Sequence, residues 1–220
     1  WGYGTLWIPE AVGRDPFSLI GYLAAQTESL TFATGIANIY ARDAMTLKAI
    51  HKTLGELAPN RFILGLGVSH QHLVSNVRGH DYKKPLTTMR NHLEAMQSAL
   101  YMGKEPEEEA PIVLAALRDR MLELAAGSTR GAHPYLVPPA HTERARKVMG
   151  PDAWLCPEQM VLRETDAEKA RAVARDRGGD GRAAAHLWLF PRRPRLVRDV
   201  ALLLLLHRAD ADRPCQRRRR

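Results

Sequence analysis

The stretch NRFILGLGVSH, residues 60–70, combines residue types that could bind an anionic ligand. Its apolar part contains Gly65 and Gly67 and is followed by Val68, Ser69 and His70. A glycine has no side chain, so a ligand can approach its backbone closely. Successive backbone N–H groups beside a hydroxyl can hold an anion. The alternative is that the two glycines only supply the dihedral freedom of a turn after a buried strand.

Two further residues, Glu10 and His133, have side chains suited to proton transfer. Glu10 follows the apolar stretch TLWIP, and a carboxylate buried at such a strand end is costly unless it is paired. Either a functional role or an arginine partner such as Arg14 would explain it. His133 lies in GAHPY at the end of another apolar stretch, where it serves either the chemistry or the packing.

The histidines near the glycine stretch do not predict a metal site. His70, His72 and His80 lack ligand spacing with a second histidine or cysteine, so no metal is expected. The chain also contains no G-x-G-x-x-G that opens a helix, no G-x-x-x-x-G-K-[ST] and no G-x-S-x-G. The usual dinucleotide, P-loop and α/β-hydrolase motifs are therefore excluded.

Short apolar stretches alternate with amphipathic ones, which predicts an α/β fold. Strands are expected at 5–9, 30–37, 61–68, 112–117 and 131–139, and within 153–163. Helices are expected at 15–29, 43–59, 85–101, 118–128, 141–150 and 166–176. Nearly continuous apolar strands between helices indicate a parallel sheet covered on both faces. A (β/α) barrel and an open doubly wound sheet both fit this pattern.

The composition is that of a globular protein, with 45% hydrophobic and 25% charged residues among 220. The longest apolar run near the end, residues 200–206, is too short to cross a membrane. No N-terminal stretch has the layout of a secretory signal, and two cysteines make no disulfide framework. We therefore expect a cytoplasmic protein.

The net charge of +8 arises entirely in the last part of the chain. Residues 177–220 contain twelve arginines and four aspartates, whereas basic and acidic residues balance in 1–176. A basic tail can bind nucleic acid, but this one has no interleaved aromatic residues and no recognition motif, which argues against it. We expect a domain over 1–176 and an atypical tail, either frameshifted or disordered, with one short helix near 196–207.

Three segments carry a resemblance to a known family: residues 2–17, residues 33–70 and residues 131–166. In order and spacing they resemble the bacterial luciferase-like monooxygenase superfamily, and most closely its actinobacterial branch that uses coenzyme F420, a deazaflavin. The resemblance implies a (β/α)8 TIM barrel, with TLWIP as the second strand. The chain then looks cut at the front, the first and eighth strands are missing, and six barrel strands are expected.

The resemblance also implies where a cofactor binds. The deazaflavin would lie across the carboxyl ends of the strands, contacted by Gly65, Gly67, Val68, Ser69 and His70. A cis peptide bond at Gly35–Ile36, in ATGIAN, would form a bulge behind its ring. Asn38, Tyr40 and Arg42 follow on the loop and would line the pocket.

For catalysis the resemblance assigns Glu10 and His133. Glu10 matches an acidic position after the second strand, but the histidine that follows it in many relatives is Ala11 here. The implied activity is hydride transfer between coenzyme F420 and a small organic substrate. The alternatives are an FMN-dependent monooxygenase of the same fold and, in another class, an inactive barrel fragment. A homodimer stays open, because relatives pair through barrel helices.

Overall fold

The computed structural model describes residues 3–159, 161–162, 166–178 and 188–189. Strands and helices alternate along the chain. The first half contains β1 (Thr5–Ile8), α1 (Pro16–Ala25), β2 (Thr31–Thr34), β3 (Ala37–Asn38), α2 (Ala44–Leu57), β4 (Phe62–Gly67), a π-helical turn (His72–Val77) and α3 (Pro85–Ser98). The second half contains β5 (Ile112–Leu114), α4 (Asp119–Ser128), β6 (Gly131–Ala132), α5 (Pro139–Met149), β7 (Trp154–Leu155), β8 (Val161–Leu162), α6 (Ala167–Gly178) and β9 (Trp188–Leu189).

Six strands form one parallel sheet in the order β1-β2-β4-β5-β6-β7, and β3 continues β2 along β4. The predicted α/β fold with six parallel strands is therefore confirmed. In the part of the chain that the structure describes, β1 and β7 each have one neighbour in the sheet. The carboxyl ends of all six strands lie at the same edge, because every pair is parallel.

Helix starts follow local sequence signals. Asp15 caps α1 by accepting a 2.7 Å hydrogen bond from the Ser18 backbone, and Pro16 occupies the first turn. Asp43 caps α2 by accepting a 2.9 Å hydrogen bond from the Thr46 backbone. These two caps explain why the sequence locates both helix starts to within one residue.

The later strands are shorter than the sequence predicts. The strand expected over 131–139 is only β6, because Pro134 lacks a backbone donor and Leu136 has a φ of 46°. The segment 153–163 contains two strands, β7 and β8, which belong to different sheets and flank Pro157. No strand was expected beyond 177, yet β9 pairs with β8. The expected helix near 196–207 lies outside the described residues.

The apolar core lies mainly on one face of the sheet, between the strands and the helices. Its largest buried side chains include Phe32, Phe62, Leu64 and Leu114. A second, smaller cluster lies on the opposite face and contains Trp7, Ala33, Ile63 and Val113. Adjacent residues such as Trp7 and Ile8 point to opposite faces, as a strand requires. The face that carries Trp7 and the smaller cluster is called the inner face of the sheet.

Candidate functional site

The predicted site residues all lie at the carboxyl-end edge of the sheet. Glu10 follows β1, the Gly35–Asn38 segment follows β2, and His133 follows β6. Gly65 and Gly67 end β4, and Val68, Ser69 and His70 follow it. Four strands of the sheet, β1, β2, β4 and β6, therefore bring together segments that are more than a hundred residues apart in sequence.

A bulge between β2 and β3 shapes the centre of this edge. Phe32 pairs with Phe62 but Ala37 pairs with Leu66, so the β2–β3 segment contains one extra residue relative to β4. At the transition the Thr34 hydroxyl donates to the Gly65 carbonyl at 2.7 Å and accepts from its N–H at 2.9 Å. The Gly35–Ile36 peptide bond within the bulge is cis, as the resemblance implies.

The immediate neighbours of Gly65 and Gly67 are protein atoms of the bulge between β2 and β3. A Cβ on Gly65 would collide with the Thr34 carbonyl oxygen, and a Cβ on Gly67 would collide with the Ile36 side chain. The space above both glycines is thus filled by the neighbouring bulge. Their lack of a side chain serves this packing, while direct contact with a cofactor stays a prediction.

Glu10 is a paired carboxylate. Its Oε2 accepts the Asn38 backbone N–H at 2.8 Å, and its Oε1 accepts a hydrogen bond from Arg42 at 2.7 Å. The arginine partner expected for Glu10 is therefore Arg42 rather than Arg14. Arg42 also pairs with Asp15 and lies 4.7 Å from the centre of the Phe17 ring. This network ties the end of β1 to β3 and to the start of α1.

The Arg42 network also affects the protonation of Asp15. Partial burial acts to raise the pKa of the Asp15 carboxyl, but the hydrogen bonds from Ser18 and the Arg42 guanidinium outweigh it, so this pKa lies below its usual value. Asp15 therefore stays ionised and keeps both its cap and its ion pair at neutral pH.

Asn38 and its neighbours form the polar side of the bulge. The Asn38 Oδ1 accepts the Tyr40 N–H at 3.0 Å, whereas its buried Nδ2 has no hydrogen-bond partner. The buried Tyr40 hydroxyl also has none, and the Tyr40 ring lies 5.9 Å from the Tyr82 ring. Tyr82 in turn donates to the Ser69 carbonyl at 3.3 Å. Ser69 has a φ of 57°, a conformation that non-glycine residues rarely adopt outside tight turns and functional sites.

His133 lies on the inner face of the sheet, stacked on Trp7. The two rings are nearly parallel, with centres 4.1 Å apart. The His133 Nδ1 lies 2.7 Å from the Cys156 carbonyl oxygen, so it carries the proton and donates. Its Nε2 lies 3.9 Å from the Glu158 Oε2, and neither atom has a hydrogen-bond partner. The side chains of His133 and Glu158 are only 3% and 4% exposed.

Burial favours the neutral form of both side chains. It lowers the pKa of His133 to about 4, against the smaller opposing effect of its hydrogen bond to the Cys156 carbonyl. It also raises the pKa of Glu158 to about 7. A glutamate that holds its proton near neutral pH is typical of acid–base sites, although structural burial also produces it.

Sequence reasoning missed two members of this cluster, Trp7 and Glu158. The available signal for Glu158 was its position just after β7, in CPEQ, because polar residues at the carboxyl ends of barrel strands are site candidates. The structure does not join Glu10 to His133 in one contact, and it leaves His70 exposed. Among the described residues, no group of three His, Cys, Asp or Glu side chains could hold a metal ion.

Comparisons with known proteins give the same fold. A model of the luciferase-like monooxygenase family matches residues 1–149. The chain is 29% identical to 5,10-methylenetetrahydromethanopterin reductase of Methanolobus tindarius, over 59% of this chain and 45% of the relative. It is 28% identical to a putative coenzyme F420-dependent oxidoreductase of Mycobacterium tuberculosis, over 66% of this chain and 40% of the relative. The chain thus spans less than half the length of these curated relatives.

Solved structures agree on the architecture. The coenzyme F420-dependent tetrahydromethanopterin reductase of Methanopyrus kandleri superposes with a TM-score of 0.63, at 17% identity, over 81% of this chain and 68% of that one. An F420-dependent secondary alcohol dehydrogenase superposes with a TM-score of 0.69, at 13% identity, over 85% of this chain and 69% of that one. At such identities the likeness shows the fold alone, and it confirms the predicted TIM-barrel type.

The family match covers more than half of the chain and includes every predicted site residue. No helix among the described residues is long and apolar enough to cross a membrane. The parallel sheet, its polar carboxyl-end edge and the family match agree, and the chain belongs to the luciferase-like monooxygenase family.

Proposed function

We propose that this chain supplies the cofactor end of an oxidoreductase that transfers a hydride between coenzyme F420 and a small organic substrate. Two curated relatives are, by name, a 5,10-methylenetetrahydromethanopterin reductase and a putative F420-dependent oxidoreductase. The proposed catalytic unit is residues 1–176, with the arginine-rich segment 177–220 outside it. We place the protein in the cytoplasm and leave open a homodimer, which sedimentation would detect.

The observation that carries the proposal is a set of buried polar atoms without partners at one edge of the sheet. They are Asn38 Nδ2, Trp7 Nε1, His133 Nε2 and Glu158 Oε2. Native proteins pair the great majority of such atoms, and leaving one unpaired costs about 1–3 kcal/mol. Acceptor atoms of a ligand bound at this edge would satisfy Asn38 Nδ2 and Trp7 Nε1, so these two donors fit a deazaflavin, whose ring carries carbonyl oxygens and nitrogens.

The residues proposed to hold the cofactor are Gly35, Ile36, Asn38, Gly65, Gly67, Val68, Ser69 and His70. Bound coenzyme F420 would supply the hydride, and the protein would supply orientation and exclusion of water. Ile36 lies against Gly67 and would present an apolar surface to a flat ring. Asn38 would donate to it from Nδ2, while the Ser69 hydroxyl and nearby backbone N–H groups would face its anionic tail.

His133 and Glu10 have different parts in this proposal. The uncommitted Nε2 of His133 can exchange a proton with a bound substrate, and Trp7 stacks on the imidazole ring and keeps its orientation. Glu10 has both carboxylate oxygens occupied by Asn38 and Arg42. Its contribution would therefore be to hold the Asn38 backbone in place rather than to move a proton.

The second candidate is an FMN-dependent monooxygenase. A Type II Baeyer-Villiger monooxygenase from Pseudomonas putida, solved with FMN, superposes with a TM-score of 0.57, at 14% identity over 80% of this chain. That likeness concerns the fold alone. FMN is also flat, polar-edged and phosphorylated, so the same edge of the sheet would have to hold it.

Titration of the full chain with coenzyme F420, and separately with FMN, would test the proposal. Quenching of tryptophan fluorescence would report binding, since Trp7 lies inside the cluster. We expect saturable binding of F420 that is at least about tenfold weaker in Ser69→Glu, because a carboxylate there repels an anionic ligand over a few ångströms.

The matched control for this titration is Ser98→Glu, which adds the same charge at an exposed position at the end of α3. It should bind F420 like the wild type. Preferential binding of FMN would favour the monooxygenase. Folded protein that binds neither cofactor would contradict both candidates and support an inactive barrel fragment.

A further inference from the structure

We propose that Glu158 is a positioning residue that acts through His133, and that the facing atoms of these two side chains hold one titratable proton between them, on the Glu158 carboxyl group in the resting site. Its use in catalysis rests on the proposed function, whereas the shared proton is a property of the chain alone. The geometry that carries the inference is the 3.9 Å approach of Glu158 Oε2 to His133 Nε2, with both atoms buried and without other partners.

The tautomer of His133 determines what the pair can do. The Nδ1 proton is committed to the Cys156 carbonyl at 2.7 Å, so Nε2 of the neutral ring has a free lone pair. A protonated Glu158 carboxyl can donate toward this lone pair. An ionised Glu158 would instead face it with a second acceptor, and two buried acceptors would repel each other.

Burial keeps the proton on the carboxyl group when the site is at rest. The pKa of His133 is lowered to about 4 and that of Glu158 is raised to about 7, both by burial. Among the residues that the structure describes, the titratable groups next to the pair are Tyr135 and Cys156, whose pKa values burial raises. The charge of Glu158 further raises the Tyr135 pKa, while Arg146 acts on Cys156 in the opposite direction. Neither Tyr135 nor Cys156 supplies a positive charge that would ionise Glu158, and burial is the one cause behind its raised pKa.

The proposed step moves one proton and requires no other reactant. The O–H bond of Glu158 breaks as an N–H bond forms at His133 Nε2, which leaves a carboxylate and an imidazolium. In the resting site this transfer is unfavourable, because burial penalises both charged forms. A negatively charged ligand atom next to Nε2 would stabilise the imidazolium and receive its proton, so the pair would act only when a ligand is bound.

Gly35 determines how closely another group can approach this pair. A Cβ on Gly35 would lie 3.2 Å from His133 Nε2 and 3.4 Å from Trp7 Cβ. The bulge therefore brings backbone, without a side chain, against the reactive nitrogen. A ligand bound at the bulge would therefore lie next to the His133 and Glu158 side chains.

Infrared spectroscopy of the full chain without cofactor tests the shared proton. We expect a protonated-carboxyl band at pH 6 that disappears as the pH rises through about 7, and that is absent between pH 6 and 8 in Glu158→Gln. The control is Glu143→Gln, which removes an exposed glutamate on α5 and should leave the band in place. Histidine nitrogen NMR should show His133 neutral at pH 6. A carboxylate at Glu158 together with an imidazolium at His133 at that pH would overturn the inference.

Kinetics then test the positioning role. We expect Glu158→Gln to bind the cofactor like the wild type, to lose roughly 100-fold in kcat and to lose the ionisation near neutral pH from its profile. Glu158→Asp should restore part of the rate. An unchanged pH profile in Glu158→Gln would overturn the role. If the wild type binds neither F420 nor FMN, the proposed function fails, and the spectra still decide whether the proton is shared.

Discussion

Two glutamates at the same edge of the sheet have opposite surroundings. Glu10 follows β1 and Glu158 follows β7, and their side chains are 7% and 4% exposed. Glu10 accepts hydrogen bonds from Arg42 and from the Asn38 backbone, one on each oxygen. The Glu158 Oε2 has no partner and faces the bare nitrogen of His133.

The contrast between Glu10 and Glu158 shows which buried carboxyl group is free to act. Glu10 has an arginine on one oxygen and a backbone donor on the other, which hold its side chain in one geometry, as a structural tie is. A buried carboxyl without such donors keeps its proton up to about neutral pH, and an acid–base group needs that range. Sequence analysis selected Glu10, whereas the structure directs attention to Glu158.

The largest loss of stability is expected when Glu10 loses its partner Arg42. Arg42→Met removes the guanidinium but keeps much of the apolar stem, so Glu10 would be left as an uncompensated buried charge. Losing one partner of such a pair costs about 3–5 kcal/mol. We expect the free energy of unfolding to fall by about 3 kcal/mol in urea denaturation, because Arg42 is not fully buried.

The matched control is Arg144→Met, which breaks the half-exposed Arg144–Asp119 pair between α4 and α5. Exposed pairs contribute at most about 1 kcal/mol, so this variant should unfold close to the wild type. Equal losses in the two variants would show that Glu10 is not held by Arg42, and the contrast between the two glutamates would disappear.

The next largest effect concerns the bulge between the two glutamates. Gly65→Ala places a Cβ against the Thr34 carbonyl oxygen, which is backbone and cannot rotate away. Overpacking of this kind costs about 1–3 kcal/mol, and we expect the upper end of that range. Because the bulge contacts both Asn38 and His133, this change should also shift the NMR signals of His133.

Gly127→Ala is the control for that prediction, since a Cβ on this helical glycine would meet no atom within 4 Å. It should leave stability unchanged or raise it by up to about 1 kcal/mol through helix propensity. A wild-type stability for Gly65→Ala would mean that the contact between β2 and β4 is looser than the structure has it.

The smallest change in stability is expected for Glu158, the glutamate without a partner, and it depends on pH. The folded pKa of Glu158, about 7, lies above its usual 4.5. The folded state therefore binds more protons than the unfolded state between these values, and stability falls as the pH rises through them. Glu158→Gln has no carboxyl group to titrate, so its stability does not fall in this way as the pH rises. We expect it to unfold like the wild type below pH 4.5 and to be more stable at pH 8.5.

The expected gain of Glu158→Gln at pH 8.5 is roughly 1 kcal/mol or more, since one pKa unit corresponds to about 1.4 kcal/mol and solvent screening reduces it. Thermal unfolding at both pH values would measure it. The lowered pKa of His133 makes stability rise between about pH 4 and 6.5, but it does so in both proteins and cancels in the difference. A variant that is less stable at pH 8.5 would contradict a protonated, unpaired Glu158.

Most of the fold could be predicted from local signals. The helix starts at Asp15 and Asp43 follow from capping chemistry, and β4 follows from a run of apolar residues that is buried throughout. The strands β6 and β7 could not be bounded, because each is a two-residue stretch whose limits are set by hydrogen bonds to neighbouring strands.

The alternation of strands and helices, the parallel sheet and the edge at which polar residues collect all follow from the spacing of apolar residues and from the chain direction. Which of those polar residues have partners depends instead on contacts made in the folded chain. Arg42 reaches Glu10 across 32 positions, and Glu158 reaches His133 across 25 positions. Burial and pairing depend on such distant contacts, so the unpaired carboxyl group of Glu158 and the paired one of Glu10 cannot be told apart in the sequence.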